Sequence, residues 1–220
     1  MIRIALRASG TPALAALALL LGLPSTATAL PLISEVLYDA VGSDAGQSFV
    51  ELYGTPGTDL AGLVVEGING SNGSVTDSIA LSGLIPANGF FVLADDSGDG
   101  TTAVSNADQI ADFDFQNGPD SVVLRLADAV VDALGYGVFD GDPFFAGEGS
   151  PAPDAPAGSS LARLFANLDT DDNAADWIVL GLPTPGQGPL HTAPEPSSAA
   201  LLAFGLVGCG LRARRRRTAR

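Results

Sequence analysis

The chain has 220 residues, of which 27 are Gly, 15 are Pro and only 16% are charged, which suits one domain of ordinary size built from short elements joined by turns. Its 46% hydrophobic content supports a packed core and excludes a disordered chain. Every basic residue is Arg; between Leu30 and Ala193 only Arg125 and Arg163 stand against 24 Asp and Glu, a net charge of −22 that repels phosphate backbones and excludes nucleic acid as a partner.

Residues 1–29 read as a signal peptide. Arg3 and Arg7 give a positive start, residues 13–23 an apolar run, and Ala27-Thr28-Ala29 a small-residue cleavage site. The body, 30–186, then alternates strands and turns. Residues 32–38 and 49–53 mix β-branched, aromatic and polar residues as half-buried strands do, with a Gly- and Asp-containing loop between them. Residues 60–66 form a third strand, 68–77 an exposed loop rich in Asn, Gly and Ser, and 78–81 a short strand. Residues 90–94 are the most apolar strand and are expected to be central, buried on both faces. A long polar loop covers 95–108.

Residues 121–126 and 130–136 form a second hairpin around Ala127-Asp128. That turn lacks the glycine a type I′ loop prefers, so its geometry must differ or strain must be absorbed nearby. A Pro/Gly/Ala loop over 139–158 precedes the closing strands, 160–164 and 177–180. Many short strands without a helical period point to an all-β sandwich, with Val50, Leu52, Val64, Phe91, Leu93, Val123, Val131 and Trp177 expected in its core.

Several segments, in order and spacing, resemble the lamin-tail domain. They are Ile33-Ser34-Glu35-Val36, Phe49-Val50-Glu51-Leu52-Tyr53, Asp59-Leu60-Ala61-Gly62, Ile85-Pro86-Ala87-Asn88-Gly89-Phe90-Phe91-Val92-Leu93, Val131-Asp132-Ala133-Leu134-Gly135-Tyr136, Ser160-Leu161-Ala162-Arg163 and Pro183-Thr184-Pro185-Gly186. The chain departs from that family's usual pattern at Gly54, where Asn is common, and at Leu63, where Trp is frequent. The resemblance implies an immunoglobulin-like two-sheet sandwich.

From Pro183 to Pro196 the chain is Pro-rich and reads as a stiff, extended segment crossed by few contacts, with 187–193 as the linker proper. Pro194-Glu195-Pro196 is followed by an uncharged run, 197–211, and an Arg-rich end. As helix that run reaches roughly 22 Å, short of the ~30 Å hydrocarbon core. The arrangement over 194–220 resembles the PEP-CTERM sorting signal of Gram-negative bacteria. It implies export across the inner membrane, a transient membrane anchor through 197–211, an exosortase-type enzyme as partner, and delivery to the cell surface or extracellular matrix.

No catalytic residue is assigned. His191, the sole histidine, lies in the linker without a fixed partner, and Cys209 is flanked by Gly208 and Gly210 in the apolar tail. Without Lys or a Gly-rich loop opening a helix, phosphate and Schiff-base chemistry have no candidates. Glu35 and Glu51 face each other if the first two strands pair symmetrically about Ser43, an arrangement disfavoured unless a cation bridges them; a shifted register or an exposed face avoids the conflict.

Two acidic loops space oxygen ligands as calcium loops do. The preferred one offers Asp169, Asp171, Asp172, Asn173 and Asp176, and the second Asp95, Asp96 and Asp99. Acidic turns also arise simply because Asp and Asn suit turns. Calcium is therefore the one cofactor considered. The expected function is a non-catalytic surface module that binds exopolysaccharide or a surface protein through sandwich loops; the alternative is an exported hydrolase using carboxylates or a metal.

Overall fold

The alternating pattern does produce strands. The computed structural model describes residues 29–140 and 144–187. The signal peptide apart from its last residue, His191, the Pro194-Glu195-Pro196 motif, the 197–211 run and Cys209 lie outside the described residues. Within them the elements are β1 (Leu32–Leu37), β2 (Phe49–Tyr53), β3 (Leu63–Asn69), β4 (Val75–Ala80), β5 (Phe90–Asp95), β6 (Gln109–Ala111), β7 (Asp120–Leu126), β8 (Ala129–Tyr136), β9 (Ser160–Arg163), the single turn α1 (Asn173–Asp176) and β10 (Trp177–Leu180). No described helix is long and apolar enough to cross a membrane.

The strands form two sheets, one of six strands ordered β10-β9-β1-β2-β5-β6 and one of four ordered β4-β3-β7-β8. Every pairing is antiparallel except β5 with β6. The inner faces meet in one apolar core, where Ile33, Val50, Leu52, Phe91 and Leu93 face Val65, Val122, Leu124 and Leu134. Near its centre Tyr38 stacks on Tyr136, ring centroids 4.0 Å apart and 14° from parallel. Both hydroxyls are bonded, Tyr38 accepting from the Ala155 amide at 2.7 Å and Tyr136 donating to the Gln116 carbonyl at 2.7 Å, as buried tyrosines require.

Five of the eight expected core residues, Val50, Leu52, Phe91, Leu93 and Trp177, lie in this core. Alternation turns Leu63 and Val65 inward and leaves Val64 half-exposed. Val123 is buried on the outer face of the four-stranded sheet with Ile68 and Ala133, and Val131 packs only partly buried against the main core. The expected 68–77 loop is shorter than its composition suggests, because β3 runs to Asn69 and β4 starts at Val75. The short β6 begins just after the expected polar loop of 95–108 and has no counterpart among the expected strands. At the β7–β8 turn Ala127 has φ 52° while Asp128 is not left-handed, so the type I′ pattern, which needs both, is not formed. A bulge between Leu124 and Arg125 follows in the same ladder.

A bulge in β1 sets the outer face of the large sheet. The register slips between Ile33 and Glu35, so Ile33 and Val36 both reach the core while Ser34 and Glu35 serve the other side. Glu35 then pairs directly with Glu51, and both side chains are fully buried. No cation bridges them among the described residues. The hydroxyls of Ser160 and Ser34 donate to Glu35 Oε1 (2.6 Å) and Glu51 Oε1 (2.7 Å). The segment after β10 supplies the rest: the Thr184 amide and hydroxyl donate to Glu35 at 2.8 and 2.7 Å, and the Gly186 amide to Glu51 Oε2 at 2.7 Å.

The reading of 183–196 as a weakly contacted stretch is therefore corrected for its first part. Pro183 to Gly186 is a strap packed across the sheet, further held by Asn88 Nδ2 on the Gly186 carbonyl (2.9 Å) and Asn106 Nδ2 on the Pro185 carbonyl (2.8 Å). A chain ending after Pro189 keeps the strap and is expected to melt like the whole protein. One ending after Leu182 strips partners from two buried carboxylates and should lose roughly 2–5 kcal/mol in chemical denaturation.

Candidate functional site

In the β9 sequence Ser160-Leu161-Ala162-Arg163, Leu161 and Arg163 share the inward face. Arg163 is thereby carried into the protein and is 0% exposed. An ionised guanidinium has five N–H donors and cannot shed its charge, so burial demands acceptors and anions. They come from both sheets and from the loop before α1. One terminal nitrogen donates to both oxygens of Asp132 on β8, at 2.7 and 3.0 Å. The other reaches Asp176 at 3.1 Å, Asp169 at 3.2 Å and the Leu168 carbonyl at 3.2 Å, and Nε donates to the Ile33 carbonyl at 3.0 Å. The guanidinium carbon lies 5.0 Å from the Trp177 ring centroid, a cation–π contact in a dry setting.

The loop proposed for calcium is built into this centre. Asp169 and Asp176 are the anions of Arg163, and Asp176 also accepts from the Thr170 amide (2.8 Å) and hydroxyl (2.7 Å). Asp172 caps α1 and accepts from the Ser150 amide at 3.0 Å. Asn173 is fully buried, its oxygen shared by the Gly135 and Glu148 amides and its nitrogen donating to the Ala133 carbonyl. Asp171 takes a left-handed backbone, φ 55°.

Of these five residues Asp169 and Asp176 share Arg163, while Asp172 and Asn173 are bonded to other segments. In the other acidic loop, Asp95 accepts from the Gly46 and Phe113 amides, and Asp96 caps the amides of Gly98, Asp99 and Gly100. Asp99 is exposed and is held below the usual carboxylate range by the Thr101 hydroxyl and amide. Asp96 and Asp99 thus serve their own turn, while Asp95 ties two remote segments to β5.

The carboxylates that do converge are Asp132, Glu148 and Asp169, with oxygens within 4.8 Å of one another. Glu148 was not singled out in the sequence, because it stands in a Pro/Gly/Ala loop and its neighbours are remote in the chain. One of its oxygens is buried without a hydrogen-bond partner among the described residues. Burial, then the charges of Asp132 and Asp169, push its carboxyl up to about 7, against the pull of Arg163. Burial likewise pushes Asp132 up, while Arg163 and the Ile33 amide hold it back.

Two open clefts flank the strap on the outer face of the large sheet. One, of about 420 Å³, is lined by Pro86, Asn88, Phe90, Asn106, Asp108 and Gly186. The other, of about 250 Å³, is lined by Leu37, Gln47, Phe49, Val104, Pro183 and Pro185. Neither contains the converging carboxylates, and Asp108 is the one acid in either lining.

Arg163→Leu leaves Asp132 and Asp176 buried without their cation and should cost about 3–5 kcal/mol in urea denaturation. Since Arg163 already neutralises this centre, the native protein should melt alike in calcium, magnesium and chelator; a melting point raised by calcium alone would contradict that role. For Glu148, the folded carboxyl is raised above its ordinary value of 4.5, so the native state holds the extra proton between about pH 4.5 and 7. Its stabilising contribution is full below that window and is lost as pH rises through it. Glu148→Gln should flatten this part of the stability–pH profile and be the more stable form at pH 8.

No protein-family model matches the chain, and the comparisons with characterised proteins and with solved structures likewise give no match.

Proposed function

We propose that the chain is a non-catalytic, exported surface module of immunoglobulin-like, lamin-tail type. In this reading it is sorted through Pro194-Glu195-Pro196 and the apolar run 197–211, and it binds polysaccharide or protein through its loop surfaces. The observation that carries the reading is how the acidic groups are used. Asp132, Asp169 and Asp176 are committed to Arg163, and Glu35 to the strap, while the two clefts beside it present side-chain amides, prolines and the half-buried Phe90 ring. The lamin-tail segments support the finer fold: they fall on β1, β2, the turn before β3, the turn into β5, β8, β9 and the strap. The acidic body suits a solvated surface outside the cell.

The rival reading, a hydrolase, draws on one feature, the pushed-up Glu148 acid beside Asp169. Two carboxyls with unlike proton affinities are what acid–base hydrolysis of glycosides uses. Neither of the two clefts beside the strap includes that pair in its lining. A glycan array followed by product analysis on the bound sugars separates the readings. Retention without cleavage is expected; cleavage lost in Glu148→Gln would establish the hydrolase instead. In a host with an exosortase, replacing Pro194 and Pro196 by Ala should leave the protein in the membrane fraction, and unchanged release would remove the sorting role.

A further inference from the structure

The larger cleft has the makings of a built site. We propose that it binds a neutral saccharide unit, held by Asn88, Asn106 and Asp108 over the Phe90 ring. The inference rests on the glycan-binding reading and adds where the ligand sits and what it is.

The polar side chains are fixed before any ligand arrives. Asn88 donates to the Gly186 carbonyl and accepts from the Phe90 amide. Asn106 donates to the Pro185 carbonyl, and Asp108 accepts from the Val92 amide at 2.9 Å. Each keeps one polar group with no further partner among the described residues: the second Asn88 N–H, Asn106 Oδ1 and Asp108 Oδ1. A donor and two acceptors in one small cleft match vicinal hydroxyls, which both donate and accept. Because their rotamers are already locked, little side-chain freedom is lost on binding.

The rest of the lining supplies an apolar counterpart. Phe90 is half-buried and braced by Tyr53, ring centroids 5.0 Å apart, so its ring is a supported platform for the C–H face of a pyranose. The strap and the loop after β5 are pressed together here. A Cβ on Gly186, at φ 78°, would stand 2.5 Å from Asn106 Cβ, and Asn106 itself holds φ 58°. That left-handed backbone is one that Asn tolerates better than most residues, and it places the side chain at the cleft.

Charge selects the class of sugar. The lining has no Arg and one acid, inside a body with net charge −22 between Leu30 and Ala193, so uronates, sulfates and phosphates are repelled. A volume of about 420 Å³ falls within the range of ligand clefts, roughly 300–1,000 Å³.

The test is a titration of the full chain, labelled with nitrogen-15, with tetramers of β-linked glucose, of N-acetylglucosamine and of galacturonate. The side-chain amide signals of Asn88 and Asn106 should move with at least one neutral tetramer and not with the galacturonate. Asn106→Gly, which suits the left-handed backbone, should weaken that binding at least tenfold while the backbone amide spectrum keeps the dispersion of the folded protein. If a neutral tetramer binds but moves other residues, with Asn106→Gly without effect, the cleft assignment falls and glycan binding stands. If the galacturonate binds best, the charge argument is wrong. If no glycan on the array or in the titration binds, both readings fall.

Discussion

A single buried guanidinium organises the protein. Arg163 stands in the six-stranded sheet, and its strongest partner, Asp132, in the four-stranded one, so the ion pair spans the interface between the layers. Asp132 passes the connection on, accepting from the Ile33 amide of β1 at 2.6 Å. The other anions, Asp169 and Asp176, bring in the chain between β9 and β10 and so fix where the last strand begins. Such a centre adds little stability over a well-packed apolar one, because desolvating the charges offsets most of their attraction. Its effect lies in constraint, because any arrangement that buries Arg163 must bring acids and carbonyls from these separate segments to it. In a body this poor in cations, one residue carries that constraint.

The acids not gathered around Arg163 follow a related logic. Glu35 and Glu51 are turned away from the core by the bulge in β1 and accept from hydroxyls and amides of the sheet and the strap. Asp95 and Asp96 cap turns, and Glu66 pairs with Arg125 at 2.6 Å at the partly exposed surface. The acid-rich sequence is thus largely absorbed by backbone amides, donors that do not appear in any count of charged residues. On the flanks of the strap the surface is concave, nearly uncharged and partly apolar.

How much of this could be read beforehand depended on the range of the interaction. Alternation in Phe49–Tyr53, Phe90–Asp95 and Asp120–Leu126 marked the strands, because the period of two is a local property. The facing of Glu35 and Glu51 could be written down as one register among several, but choosing it required the bulge and the donors of Thr184 and Gly186, some 135–149 residues away. The calcium reading of residues 169–176 took in the acids but not Arg163, which pairs with Asp169 and Asp176. Yet the signal was present: Arg163, one of two basic residues in the body, shares a strand face with Leu161 and therefore points inward. Glu148 offered no such clue, since its character comes from Asp132 and Asp169, on other segments. The strap was obscured by composition, because Pro-Thr-Pro-Gly looks the same whether it is free or clasped.

The strap has a mechanical consequence. Tension applied to the chain beyond Gln187 does not arrive first at β10, the edge strand that directly precedes it. It passes through Thr184 and Gly186 into Glu35 and Glu51, on the two middle strands of the six-stranded sheet. An edge strand pulled from its end peels away one hydrogen bond at a time, whereas a load delivered to the centre of a sheet is shared by the strands on either side. A domain tethered by its C-terminal side would therefore meet drag or shear with its strongest part, and β10 would be strained only after the clasp had let go.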